Sequence, residues 1–149
     1  MNAIDVVKAG LSAVESGMVN KFEDLLADDM VFAGPVPRPL GKREFVEMQT
    51  SLMAAMPDWK FNASDFKQSG DQVTVVMHIS GTNTGELNLP MPGLMKIPPT
   101  GKHVSLPNEP TTFTVKNGKI ARIEARSSPD TGVPGILAQL GVPIPMPMM

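Results

Sequence analysis

Residues 81–102 read Gly-Thr-Asn-Thr-Gly-Glu-Leu-Asn-Leu-Pro-Met-Pro-Gly-Leu-Met-Lys-Ile-Pro-Pro-Thr-Gly-Lys. A connection this long inside a small domain is usually functional or disordered. Leu87, Leu89, Met91, Leu94, Met95 and Ile97 give it too much apolar surface for a solvated linker, so it is expected to fold over the mouth of a pocket. On its N-terminal side, residues 73–80 alternate. Val73, Val75, Met77 and Ile79 share one face, and Thr74, Val76, His78 and Ser80 the other, which predicts a strand. On its C-terminal side, 104–106 and 111–116 read as strands. Asn117-Gly118 is a hairpin turn, and 120–126 pairs back with alternating residues.

Upstream the period is helical. Ile4, Val7, Leu11 and Val14 predict a helix over 3–16, capped by Asn2 with Asp5 three residues on, and ended by Gly17. A second short helix spans 19–27. Residues 30–33 form a short strand or extended entry, and the prolines of 35–39 rule out helix there. A third helix over 41–56 carries Phe45, Met48, Leu52 and Met56 inward and stops at Pro57. Residues 58–61 and 64–67 suggest one interrupted strand, with a turn at Ser69-Gly70-Asp71. At the end, 136–140 is a helical turn, and 143–149 is a proline-broken, methionine-rich tail. Helices first and a strand meander after predict an α+β domain, one unit over 1–149, with helices on one face of a curved antiparallel sheet.

The bulk numbers narrow the partners. A net charge of −2 and no basic run give no footprint for nucleic acid. The absence of cysteine excludes a disulfide scaffold, a cysteine nucleophile and a thiolate metal site. Asp5 and Lys8 interrupt the N-terminal apolar pattern, and no apolar run could span a bilayer. No membrane association is therefore expected, and the expected location is cytoplasmic. Two distant histidines without an acidic cluster make no metal site. There is no phosphate-cradling glycine loop and no nucleophile elbow.

Several motifs occur in a fixed order: Met56-Pro57-Asp58, Gly70-Asp71-Gln72-Val73, Gly81-Thr82-Asn83-Thr84-Gly85, Pro98-Pro99-Thr100-Gly101-Lys102 and Asn117-Gly118-Lys119-Ile120. Asp130, Leu137, Gln139, Leu140 and Gly141 follow near the end. In these the chain resembles the SnoaL-like polyketide cyclases and ester cyclases of the nuclear-transport-factor-2-like, cystatin-like superfamily. The resemblance implies a cone: a curved antiparallel sheet packed with the N-terminal helices around an apolar pocket, commonly as a homodimer through the outer sheet face. It also implies a cofactor-free, metal-free aldol-type cyclase or isomerase acting on an apolar, polyketide-like carbonyl substrate. Alternatives on the same fold are a non-catalytic binding protein for an apolar ligand and a protein-interaction module. Asn83 stands where the family commonly has histidine, and Glu109 near where it commonly has aspartate.

General acid/base chemistry needs a group whose pKa burial can shift toward neutrality. Glu109, beside Pro110 between two strands, is the first candidate, either at the pocket rim or as a solvent-facing loop acid. His78 is the second, although alternation puts it opposite the apolar face. Asn83, Trp59, Phe32, Met91 and Phe113 are the expected substrate contacts. Asp58 is expected to accept local backbone N–H groups in a turn. Glu124, between Arg122 and Arg126, is expected to form surface ion pairs, and Lys102 and His103 to be solvated.

Overall fold

The computed structural model describes residues 2–34, 39–89, 96–125 and 130–142. The first helix, α1 (Ala3–Glu15), starts at the expected capping box. Asn2 Oδ1 accepts the Asp5 N–H at 2.9 Å, and Asp5 Oδ2 accepts the Asn2 N–H at 3.4 Å. A short α2 (Val19–Asp24) follows. It ends before 27 because Leu26 already belongs to β1 (Leu26–Ala33), which is longer than the sequence pattern suggests. Leu26 pairs with Ile120, and the ladder then shifts register before Val31. Next come β2 (Leu40–Gly41) and α3 (Lys42–Ala55), with Pro57 just past the α3 C-cap Met56.

Residues 58–61 do not form a strand. Lys60 makes an isolated bridge to Ser80, and Asn62 and Asp65 take left-handed backbone, φ 47° and 54°, which breaks the run before β3 (Ser64–Ser69). The expected strand over 73–80 divides into β4 (Gln72–Met77) and β5 (Ser80–Thr82). Then follow β6 (His103–Ser105), β7 (Glu109–Lys116), β8 (Lys119–Ala125) and α4 (Gly132–Leu140). The β7–β8 turn uses Asn117 and Gly118, both at positive φ, as an Asn-Gly hairpin requires.

The main sheet is curved and runs β2-β1-β8-β7-β4-β3. Its pairings are antiparallel except at β1–β8, which is parallel. β5 and β6 make a separate two-stranded sheet. Val73, Val75 and Met77 of β4 and Phe113 and Val115 of β7 point inward, and the helices cover that face around a shared apolar core. A register shift between Thr114 and Val115 lets Ile120 and Ile123, three residues apart, both face the core. No helix of the described residues is long and apolar enough to cross a membrane.

The described parts of 81–102, residues 81–89 and 96–102, form an arm whose two sides pair with each other. Asn83 N–H and C=O pair with Lys102 and Gly101, and Leu87 bridges Ile97. The Asn83 side chain is fully buried. Its Oδ1 accepts from the Thr100 N–H (3.0 Å) and Oγ1 (2.8 Å), and its Nδ2 donates to the Gly85 carbonyl at 2.8 Å. Gly85 lies so close to α3 that a Cβ would run into the Ala54 carbonyl oxygen. Asp58 is exposed and accepts from the Thr82 N–H (2.7 Å) and Oγ1 (2.8 Å), tying the 56–60 loop to β5, and its carboxyl also accepts its own backbone N–H, a local bond of the expected kind. Chiefly the Thr82 N–H holds the Asp58 carboxyl below its usual range.

Removing the Asn83 side chain leaves buried donors and an acceptor unpaired, each with a desolvation cost. Asn83→Ala should lower stability by about 2–4 kcal/mol in urea denaturation. A loss under ~0.5 kcal/mol would show that the arm does not depend on it.

Candidate functional site

The inward face of the sheet and helices α1 to α4 enclose a cavity of about 90 Å³. One water needs about 10–15 Å³, so the space holds an organic molecule better than a lone water. The chain is poor in aromatics, yet they are concentrated here. Phe22, Phe32, Phe45, Phe61 and Phe113, five of six phenylalanines, and the single tryptophan Trp59 all lie on the wall. Phe32 stacks on Phe45 at 4.8 Å, and Trp59 meets Phe61 edge-on at 5.7 Å. Such a wall favours a flat apolar ligand.

Among the described residues, Glu109 is the ionisable one on this wall. It is the first residue of β7, opposite Met77, and shares the inward face with Thr111, Phe113 and Val115. Its carboxyl meets the N-terminus of α4, where the Thr131 side chain and the Gly132 N–H bond to it. Its Oε2 has no partner. Burial raises its pKa from the ordinary 4.5 to about 7, and the two α4 contacts only partly oppose the rise.

α4 covers the cavity with Gly132, Val133 and Ile136. Its far end is pinned to the arm and β6. Lys102 Nζ donates to the Leu140 carbonyl at 3.3 Å, so Lys102 is not merely solvated, and the Gln139 amide exchanges two hydrogen bonds with the Ser105 backbone. The sequence showed only a helical turn over 136–140. The helix begins at Gly132 with Pro134 in its first turn, where a missing N–H costs nothing.

The expected site residues separate into two groups. Glu109, Trp59, Phe32 and Phe113 meet on the cavity wall. His78 is exposed, and Asn83 is committed to the arm, so neither is on the wall. The expectation that the arm shapes the pocket mouth finds no support among its described residues, none of which lines the cavity. Met91 lies outside the described residues. Gln49 is a polar wall residue outside the expected set. It sits in the stripe Phe45, Met48, Gln49, Leu52 of α3, and a glutamine inside an apolar i, i+3, i+4, i+7 set was the signal. Glu124 pairs with Arg122 at 2.8 Å on the surface, as expected.

The SnoaL-like domain family profile matches residues 7–123. Among solved structures, IdmH from Streptomyces antibioticus, a "putative polyketide cyclase", aligns at 24% identity over 95% of this chain and 100% of its own, with a TM-score of 0.72. AclR from Streptomyces galilaeus, a "putative hydroxylase", aligns at 17% identity over 93% and 95%, with a TM-score of 0.73. A "putative SnoaL-like polyketide cyclase" from Jannaschia sp. CCS1 aligns at 16% identity over 95% and 93%, with a TM-score of 0.72. No match was found among curated proteins.

Because the Glu109 pKa is higher folded than unfolded, the folded state holds the extra proton between about pH 4.5 and 7. Stability is therefore greatest below that window and falls as pH rises through it, by on the order of 3 kcal/mol. Glu109→Gln removes this slope. Its Tm should match wild type near pH 4.5 and exceed it at pH 8. A Tm difference that does not change with pH would show that Glu109 titrates normally.

Proposed function

Because the chain belongs to the SnoaL-like domain family, we propose that it catalyses proton transfer beside a carbonyl of a neutral, apolar, polyketide-like substrate, with Glu109 as acid and base. The carrying observation is an unpartnered carboxylate oxygen, Glu109 Oε2, in an aromatic-walled cavity. A pKa of about 7 supplies both the base and the acid form near neutral pH.

In the forward step the ionised carboxylate takes a proton from the carbon next to the carbonyl, leaving an enolate. For an aldol-type cyclisation, the enolate carbon bonds to a second carbonyl carbon of the same molecule. The oxygen of that carbonyl becomes an alkoxide and takes the proton back from Glu109. For an isomerisation the proton returns to a different carbon. Either way the carboxylate is regenerated. The polyketide-cyclase descriptions of IdmH and the Jannaschia protein support the cyclisation.

A simple apolar carrier would be better served by an apolar residue at 109, because a buried, half-satisfied carboxyl lowers stability. Sites that break a local stability rule are commonly functional ones. The same reading includes a homodimer through the outer sheet face, where Val76 of β4 faces Pro110 of β7 across the ladder.

Deuterium uptake at the carbon next to the carbonyl of 1-tetralone, followed by NMR in D2O near pH 7, tests the proposal. The protein should accelerate exchange over buffer, and Glu109→Gln should slow it by about 10²–10⁴-fold. Exchange that persists in Glu109→Gln would remove the acid/base assignment. For assembly, light scattering should report two chains per particle, and a monomer would overturn the dimer.

A further inference from the structure

Among the described residues, three buried side-chain polar atoms have no hydrogen-bond partner: Gln49 Nε2, Trp59 Nε1 and Glu109 Oε2. They come from α3, the loop after it and β7, and all three residues line the same cavity. An unpaired buried polar group is costly wherever it lies. Three of them meeting on one wall is what a site looks like before its ligand supplies the missing partners.

We infer that Gln49 and Trp59 hold the oxygen of a neutral carbonyl ligand by donating N–H groups to it, and so select ketones over hydrocarbons and over carboxylates. This rests on the acid/base reading above and adds the groups that position the substrate. The indole N–H is a donor only, and the glutamine Nε2 likewise donates. The ligand must therefore bring acceptors to these two positions. A carbonyl oxygen has two lone pairs and can accept from both.

Among the described residues the wall carries no lysine or arginine, and it already holds the acid Glu109. An anionic ligand would lie beside that carboxyl with no cation to offset its lost hydration. The aromatic rings account for the apolar body of the ligand, and the two donors account for its oxygen. Both donors are neutral, so as charge builds on the oxygen during proton removal they stabilise it without a fixed positive charge.

Three probes of similar size separate these contributions: 1-tetralone, the hydrocarbon tetralin, and the carboxylate 1-naphthoate. Trp59 is the single tryptophan, so its fluorescence reports binding in wild type and in Gln49→Met. Calorimetry serves Trp59→Phe. In wild type, 1-tetralone should bind tightest and 1-naphthoate weakest. Each variant should weaken 1-tetralone roughly fivefold to tenfold and leave tetralin within about twofold, a selectivity that a mere packing defect would not give. Gln49→Met should also raise Tm, because it removes an unpaired buried donor without emptying the site.

Unchanged 1-tetralone affinity in both variants would overturn the inference, as would equal loss of tetralin. If that happens while Glu109→Gln still abolishes deuterium exchange, the donors alone are wrong. If Glu109→Gln keeps exchange while the two variants lose ketone affinity, the donors stand and the acid/base role falls.

Discussion

The contact between the Glu109 carboxyl and the first turn of α4 is the interaction on which the rest depends. It joins the start of a central strand to the helix that covers the cavity. The open N–H groups and the dipole at a helix N-terminus favour a carboxylate, yet burial still dominates and raises the pKa to about 7. One end of the carboxyl is therefore anchored, and Oε2 is free to react. The far end of α4 is fixed separately by Lys102 and by the Gln139 amide on β6. The cover is thus tied both to the site and to the arm.

The cavity is assembled at some cost in stability. The same three residues that leave polar atoms unpaired also contribute to its wall. Around them the aromatics pack closely, with Phe32 stacked on Phe45 and Phe22 tilted against Phe45. Among the described residues the unpaired buried side-chain polar atoms are confined to the site, while the surrounding core is ordinary close-packed apolar matter. This division is expected when a small domain keeps its stability in the shell and its chemistry in the centre.

The described residues of the arm, 81–89 and 96–102, do not line the cavity. Leu87, Leu89 and Ile97 are buried against the core rather than presented to the cavity. Asn83 ties Gly85 to Thr100 and thereby joins the two ends of the arm. Its amide offers both donor and acceptor groups, and the arm engages both. Asn83 therefore serves the arm, and the acid on the cavity wall comes from β7.

The sequence by itself determined most of the element types, because helix and strand periods are local properties. The α1 stripe and its Asn2 cap, the alternation over 73–79 and the Asn-Gly turn were all legible in this way. Glu109 was also within reach of local reasoning. Extending the alternation of Phe113 and Thr111 back by two residues turns Glu109 inward, whereas treating 109 as loop left its direction open. Only the tertiary structure decided the rest. The parallel β1–β8 ladder joins residues about ninety positions apart. The bulge between Thr114 and Val115 places Ile123 on the inner face. The meeting of residues 49, 59 and 109 on one wall depends on how three separate elements pack. No local period carries such information, because the energy that fixes it arises from contacts made after the elements have formed.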